Sequence, residues 1–207
     1  TRLGLRFEYL MWFWLQDDMY HHFKIIGHSI QIIQGKQTLG ELDFLLFNTQ
    51  TQKIEHWEVA LKYYLAEANL SLKHWYGLNR TDTLQRKLNH FTQKQFQFET
   101  IQDQSIQERF AVLKGQLYLP TVHKNILDNK SLASNIPKWV NQARNLGHWG
   151  HHIPQQSYYR LQRQEWICND ATISSPPAHW WNNGLYKSTE KEHFYMFRQA
   201  PFIYLNV

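Results

Sequence analysis

The sequence predicts an α/β domain: a helix, three strands, a second helix and a fourth strand around one mixed sheet, followed by an aromatic-rich C-terminal extension. Three observations carry that expectation. Apolar residues recur at helical spacing at the start of the chain. Ile- and Leu-rich runs then alternate with short polar turns, and a second helical period leads into a last apolar run that ends at a proline. A chain of 207 residues is long enough to bury a sizeable core in one domain.

Leu3, Phe7, Leu10, Met11, Trp14 and Leu15 mark an amphipathic helix over residues 2–16. The chain starts at Thr1 without Met and already in this helical pattern, so a preceding native segment is expected. Residues 22–34 (HFKIIGHSIQIIQ) read as a strand, Gly35 and Lys36 as a turn, and residues 38–48 (TLGELDFLLFN) as a second strand. The polar run 49–53 is a hairpin loop. Residues 54–65 (IEHWEVALKYYL) begin as a third strand that can pass into a helix near Lys62. Leu84, Leu88, Phe91 and Phe98 place a helix across 81–98, with Thr81 or Asp82 as its cap. Residues 109–119 read as a strand stopped by Pro120. Beyond it, Pro137 to Leu146 suit a short helix, 157–168 and 192–205 hold aromatic-rich strand candidates, and 174–184 is loop-like. The core is placed at 1–120 and the extension at 121–207, with the boundary near 121–136.

Composition narrows the function classes. A net charge of +5 and a pI near 9.2 are compatible with a polyanionic partner. The 9 Trp, 11 Tyr and 12 Phe fall largely inside apolar-periodic segments, which favours core packing over base stacking. The lone Cys168 excludes an internal disulfide and any Cys-x-x-Cys metal knuckle, and fits a reducing cytoplasm. The longest apolar run, Tyr9 to Leu15, is far short of the ~20 residues that span a membrane. Nucleophile-elbow, phosphate-loop and dinucleotide fingerprints are missing from the sequence.

Chemistry is suggested where acids interrupt apolar strands. Asp43 lies in Gly40-Glu41-Leu42-Asp43-Phe44-Leu45, and Glu58 in His56-Trp57-Glu58-Val59-Ala60-Leu61-Lys62. Strand alternation sets Leu42, Phe44 and Leu46 on one face, with Glu41, Asp43 and Leu45 on the other; Glu58, Ala60 and Lys62 share a face of the next strand. A tight hairpin then brings Asp43 beside Glu58. Adjacent carboxylates repel unless a cation lies between them, and Mg²⁺ or Mn²⁺ takes oxygen ligands. The alternative is a structural ion pair with an arginine or with His56.

The run GELDFLL, a short hairpin and HWEVALK resemble the Gly-Glu-Ile-Asp-Leu and Glu-Val-Lys signature of the PD-(D/E)XK nuclease superfamily. Over most of the chain the strings TLGELDFLL and HWE-x-A-x-K-x-YL are also similar to an uncharacterised bacterial family known only as a domain of unknown function. The first resemblance implies a restriction-endonuclease-like core and a Mg²⁺- or Mn²⁺-dependent phosphodiesterase acting on nucleic acid, DNA ahead of RNA. It implies metal ligation by Asp43, Glu58, the backbone carbonyl of Val59 and Glu8 of the first helix. Arg6 and Lys62 are alternative partners for Glu8. The superfamily's lysine would stand at position 60, where this chain has Ala60; Lys62 takes its place, on the same strand face but about 13 Å along from Glu58 rather than about 7 Å. A solvated lysine at a strand end is the plain alternative. The competing functions are a nuclease-fold module that binds nucleic acid without cutting it, and a protein-interaction scaffold.

Further features are weaker. Glu41 shares the Asp43 face at a strand end. Gln95 lies on the apolar stripe of the second helix, where the superfamily can supply a polar residue near the phosphate and a merely hydrogen-bonded buried glutamine is the alternative. Arg80, Arg86, Lys87, His90 and Lys94 make that helix basic. His148, His151 and His152 lack a Cys or carboxylate partner at ligand spacing and suit a surface loop. Trp166, Trp180 and Trp181 of the extension are expected to shape substrate access.

Overall fold

Apolar periodicity becomes three long strands in a row. In a computed structural model, which describes residues 2–101, 103–121, 136–141, 143–168 and 177–200, helix α1 (Leu3–Leu15) leads into β1 (Phe23–Gln34), β2 (Gln37–Asn48) and β3 (Lys53–Ala66). Gly35, at φ 61, occupies the left-handed turn between β1 and β2, a conformation that glycine adopts without a Cβ clash. The chain then forms a two-residue strand β4 (Trp75–Tyr76), helix α2 (Leu84–His90) and one π turn over Phe91–Gln95. Next come the short pair β5 (Thr100–Ile101) and β6 (Gln104–Ser105), and the long strand β7 (Glu108–Pro120). The C-terminal part adds β8 (Gly147–Gly150), β9 (Tyr158–Arg160), a 3₁₀ turn at Arg163–Trp166, β10 (Gly184–Ser188) and β11 (Phe194–Phe197). The fold is mixed α/β, with a large mixed sheet and few helices. No helix among the described residues is long and apolar enough to cross a membrane.

The chain divides into two units. The first comprises residues 1–62 and 85–114, the second 63–84 and 115–207. In the first, β1, β2 and β3 pair antiparallel in sequence order. This hairpin triplet is not itself a mixed sheet; parallel pairing enters in the second unit, where β8 lies parallel to both β7 and β11. The boundary expected near 121–136 falls mostly outside the described residues.

Both faces of β2 are covered. Phe44 and Leu46 pack with Leu15 of α1 and with Met11, Phe23, Ile25, Trp57 and Val59. Leu42 and Leu45 pack instead with Ile101 and Ile106, joined by Ile30, Ile54 and Phe98. The alternation expected to hold Leu42 on the face of Phe44 is therefore interrupted at Asp43. The opposing Ser29 of β1 has a φ of 49, the same irregularity seen from the neighbouring strand. In α1 only Phe7 and Leu15 are buried, while Leu10 and Trp14 are exposed; a helix apolar nearly all round does not declare its inner face by period.

The second unit builds its own aromatic core. Tyr158, Tyr186, Tyr195 and Phe197 are buried together, with Trp181 stacked on Tyr186 at 4.1 Å. Trp166 is buried and donates to the Leu161 carbonyl, whereas Trp180 is exposed. Two of the three tryptophans expected to shape substrate access thus serve packing. Residues 136–141 and 143–146 form turns rather than a helix. His148 lies in β8, partly buried, rather than in a surface loop; His151 and His152 are exposed beyond it.

A candidate active site where two strands splay

The site begins with a backbone irregularity. Pairing between β2 and β3 runs from Asn48↔Lys53 to Phe44↔Trp57 and stops there. One step further, the Val59 amide donates 2.8 Å to Oδ2 of Asp43. A side-chain carboxylate thus replaces the backbone acceptor that a regular ladder would offer, which satisfies the amide and opens the strands. In an extended strand the N–H and C=O of one residue point to the same side, so the Val59 carbonyl also faces β2.

Glu58 lies next to this opening, with its side chain fully buried. Its Oε1 meets His56 Nε2 at 2.7 Å, and its Oε2 accepts from the Gln95 amide. The carboxylate oxygen accepts in both contacts, so His56 carries its proton on Nε2; the buried Nδ1 of His56 has no partner among the described residues. Because Gln95 spends its N–H on Glu58, its Oε1 must accept from His90 Nδ1, 3.0 Å away. Neutral His90 then bears its lone pair on Nε2. A chain of contacts therefore runs from exposed His90 through Gln95 and Glu58 to buried His56. The π turn supplies it, since the extra residue per turn carries Gln95 onto the strand.

Asp43 is the electrostatic centre. Burial, the neighbouring Glu58 carboxylate and, less strongly, Glu8 push its pKa up to about 7; the Val59 hydrogen bond and the charge of Lys87 oppose them. Glu8 is tethered to β1 by His28 Nε2 at 3.1 Å and Ser29 Oγ at 3.3 Å. A cleft of about 520 Å³ opens here, lined by Glu8, Gly40, Glu41, Asp43, His90, Lys94 and Gln95. The structure thus brings together Glu8, Glu41, Asp43, Glu58, Val59 and Gln95. Lys62 lies further along β3, which stays extended to Ala66 with no turn into helix at Ala60. Ala60, where the superfamily has its lysine, is buried.

His56 meets Glu58 at 2.7 Å, as the ion-pair alternative expected. Sequence reasoning missed two participants, since His90 and Lys87 were read only as helix charge. Their roles depend on which face of α2 meets β3, which no local pattern states. By contrast Glu55, another buried acid on β3, is satisfied by Asn48 and Trp57 at 2.7 Å each and does not line the cleft.

The residues suit a hard divalent ion in kind. Asp43 keeps Oδ1 without a hydrogen bond among the described residues, and crowding by Glu58 and Glu8 is relieved by a cation. They are not a ready-made cage: both Glu58 oxygens are occupied, and no three His, Cys, Asp or Glu side chains among the described residues are grouped for a metal.

A protein-family model matches residues 1–202. The chain belongs to the family described as domain of unknown function DUF1853. Comparison with curated proteins and with solved structures finds no match. This DUF1853 chain combines splayed strands, clustered carboxylates and a cleft with Lys94 and His90 on its wall.

Proposed function

We propose that the cleft is a phosphodiesterase site of PD-(D/E)XK type that acts on nucleic acid, DNA ahead of RNA, with Mg²⁺ or Mn²⁺. The observation that carries this reading is the Asp43 carboxylate, held in the gap between β2 and β3, its pKa pushed up to about 7 by burial first and then by the neighbouring Glu58 and Glu8. Asp43, Glu58, the Val59 carbonyl and Glu8 are the groups that would hold the ion. When bound, such an ion polarises a phosphate and acidifies a water. Gln95 and His56 orient Glu58, as outer-shell partners do. His90 lies on the cleft wall, where the Nε2 lone pair of its neutral form would accept a proton from an attacking water. Lys94 on the same wall and Lys87, whose charge reaches Asp43, attract the phosphate. Lys62 stays a candidate for the same task from further along β3.

A second reading has its own support. Ala60 is buried where the superfamily's lysine would stand, and Glu58 is hydrogen-bonded at both oxygens. These suit a module that binds nucleic acid without cutting it. Calorimetry with Mn²⁺ and a cleavage assay on DNA and RNA separate the two. The enzyme should bind Mn²⁺ and cut; Asp43→Ala should do neither, and Gln95→Ala should weaken ion binding about 10- to 100-fold. A parent chain that binds no ion and cuts nothing, yet binds nucleic acid with steep salt dependence, would replace the enzyme by the binding module.

A further inference from the structure

We infer that the second unit carries a separate anion pocket for a phosphate group, centred on Arg198. A cleft of about 180 Å³ is lined by Glu67, Tyr76, Arg80, Trp149, His151 and Arg198, among others. That is the volume of about six waters, the scale of a phosphate with part of its ester rather than of a whole nucleotide.

Arg198 is partly buried and held in place from three sides. Its amide donates to the Gly150 carbonyl at 2.9 Å, and its carbonyl accepts from His151 Nδ1 at 2.7 Å. One guanidinium nitrogen, Nη2, donates to the Leu78 carbonyl at 3.1 Å. A guanidinium offers five N–H donors. Among the described residues no carboxylate pairs with this one, and its remaining donors are unspent. The single acid on the cleft wall, Glu67, is already engaged by Arg80 at 2.6 Å. Burial, and then the like charge of Arg163, lower the Arg198 pKa.

A half-buried guanidinium with no carboxylate partner among the described residues is a cation that a bound anion would complete. A phosphate oxygen supplies both the charge and the acceptors, in the geometry a guanidinium fork prefers. The walls are pre-organised as well. The Trp149 indole N–H is anchored on the Ala66 carbonyl at 2.7 Å, and the Arg80 guanidinium lies 4.5 Å above the Tyr76 ring. Little side-chain entropy would be lost on binding. This pocket uses none of the residues of the metal-type cleft, so its existence does not depend on the phosphodiesterase reading.

Calorimetry on the full chain tests it, with inorganic phosphate, a nucleoside 5′-monophosphate, and oligonucleotides bearing either a 5′-phosphate or a 5′-hydroxyl. Phosphate should bind the parent, and Arg198→Gln should weaken it about tenfold or more, the loss expected for a charge-assisted hydrogen bond. Glu67→Gln should tighten binding, because it removes the competing acid and releases Arg80; misfolding cannot mimic a gain, so this arm decides even if Arg198→Gln fails to fold. A preference for the 5′-phosphorylated strand over the 5′-hydroxyl strand assigns the phosphate to a nucleic-acid end, and equal binding of the two strands with retained monophosphate affinity assigns it to a free monoester. Absence of binding by phosphate and monophosphate alike, or affinity unchanged in both variants, overturns the proposal.

Discussion

Asp43→Asn tests directly whether Asp43 is a buried carboxylate crowded by its neighbours. The substitution keeps an oxygen to accept from the Val59 amide and removes the charge. In the unfolded chain Asp43 titrates at its ordinary value of 3.8, in the fold at about 7. Between those values the folded chain holds a proton that the unfolded chain has released, so this group makes stability fall as pH rises through the window. A gap of about three pH units, at about 1.4 kcal/mol each, corresponds to on the order of 4 kcal/mol against the native state above pH 7. Urea unfolding followed across pH should therefore find Asp43→Asn more stable than the parent by a few kcal/mol at about pH 8, with the difference closing towards about pH 4. Mn²⁺ should stabilise the parent at the upper end and leave the variant unmoved, since an ion that binds only the folded site shifts the equilibrium by mass action. A variant with the same pH slope as the parent, or less stable at about pH 8, would refute the claim that Glu58 and Glu8 crowd a buried carboxylate, and the metal reading would lose its main support.

Two other outcomes follow from the same contacts. Gln95→Leu strands Glu58 Oε2 without a donor in a buried position; unfolding should show a loss of about 1.5–3 kcal/mol, and ¹⁵N spectra should show His90 released from the Nδ1-protonated tautomer that Gln95 Oε1 selects. His148 and His193, 2.7 Å apart in the second unit, are both pushed down to about 4 by burial. The unfolded chain takes up these protons first, so their contribution is lost as pH falls from 6.5 towards 4, opposite in sign to Asp43, and replacing His193 by Gln should flatten that acid limb in a pH series of melting curves.

Much of the first unit was legible in the sequence because its periods are long. Helix α1, the hairpins through Asn48 and Lys53, and β7 up to Pro120 lie within a residue or two of where apolar spacing and turn residues place them. The second helix was legible in position but not in form: Phe91 and Phe98 suggested one α-helix to 98, and the chain instead ends α2 at His90 and makes a π turn. The C-terminal part resisted reading for a physical reason. Strands β8 and β10 are four and five residues long, begin with glycine and hold a single aliphatic residue, Leu185, between them, so that their burial comes from partners far away in the chain. In so short a segment neither period 2 nor period 3.6 can establish itself. The Pro137 region carried a helix-start signal, yet it buries Val140 from a turn instead.

Asp43 and Glu58 were legible for the opposite reason: a carboxylate inside an apolar strand needs a partner, and local sequence shows that need. What sequence could not show is which partners meet it. Glu55, Glu58 and Asp43 look equivalent as acids in one hairpin, yet Glu55 is closed off by Asn48 and Trp57, while Asp43 stands where strand pairing ends. The lysine question turns on the same distinction. β3 stays extended through Ala60 and Lys62, so the register places their Cα atoms about 7 and about 13 Å from that of Glu58. A continuous strand offers no backbone turn to bring Lys62 back. The positive charge felt by Asp43 comes instead from Lys87, one turn before the π segment that delivers Gln95. In this fold the helical segment supplies a cation that reaches Asp43 and an amide that reaches Glu58, Lys87 and Gln95, and a motif read along β3 alone misses them.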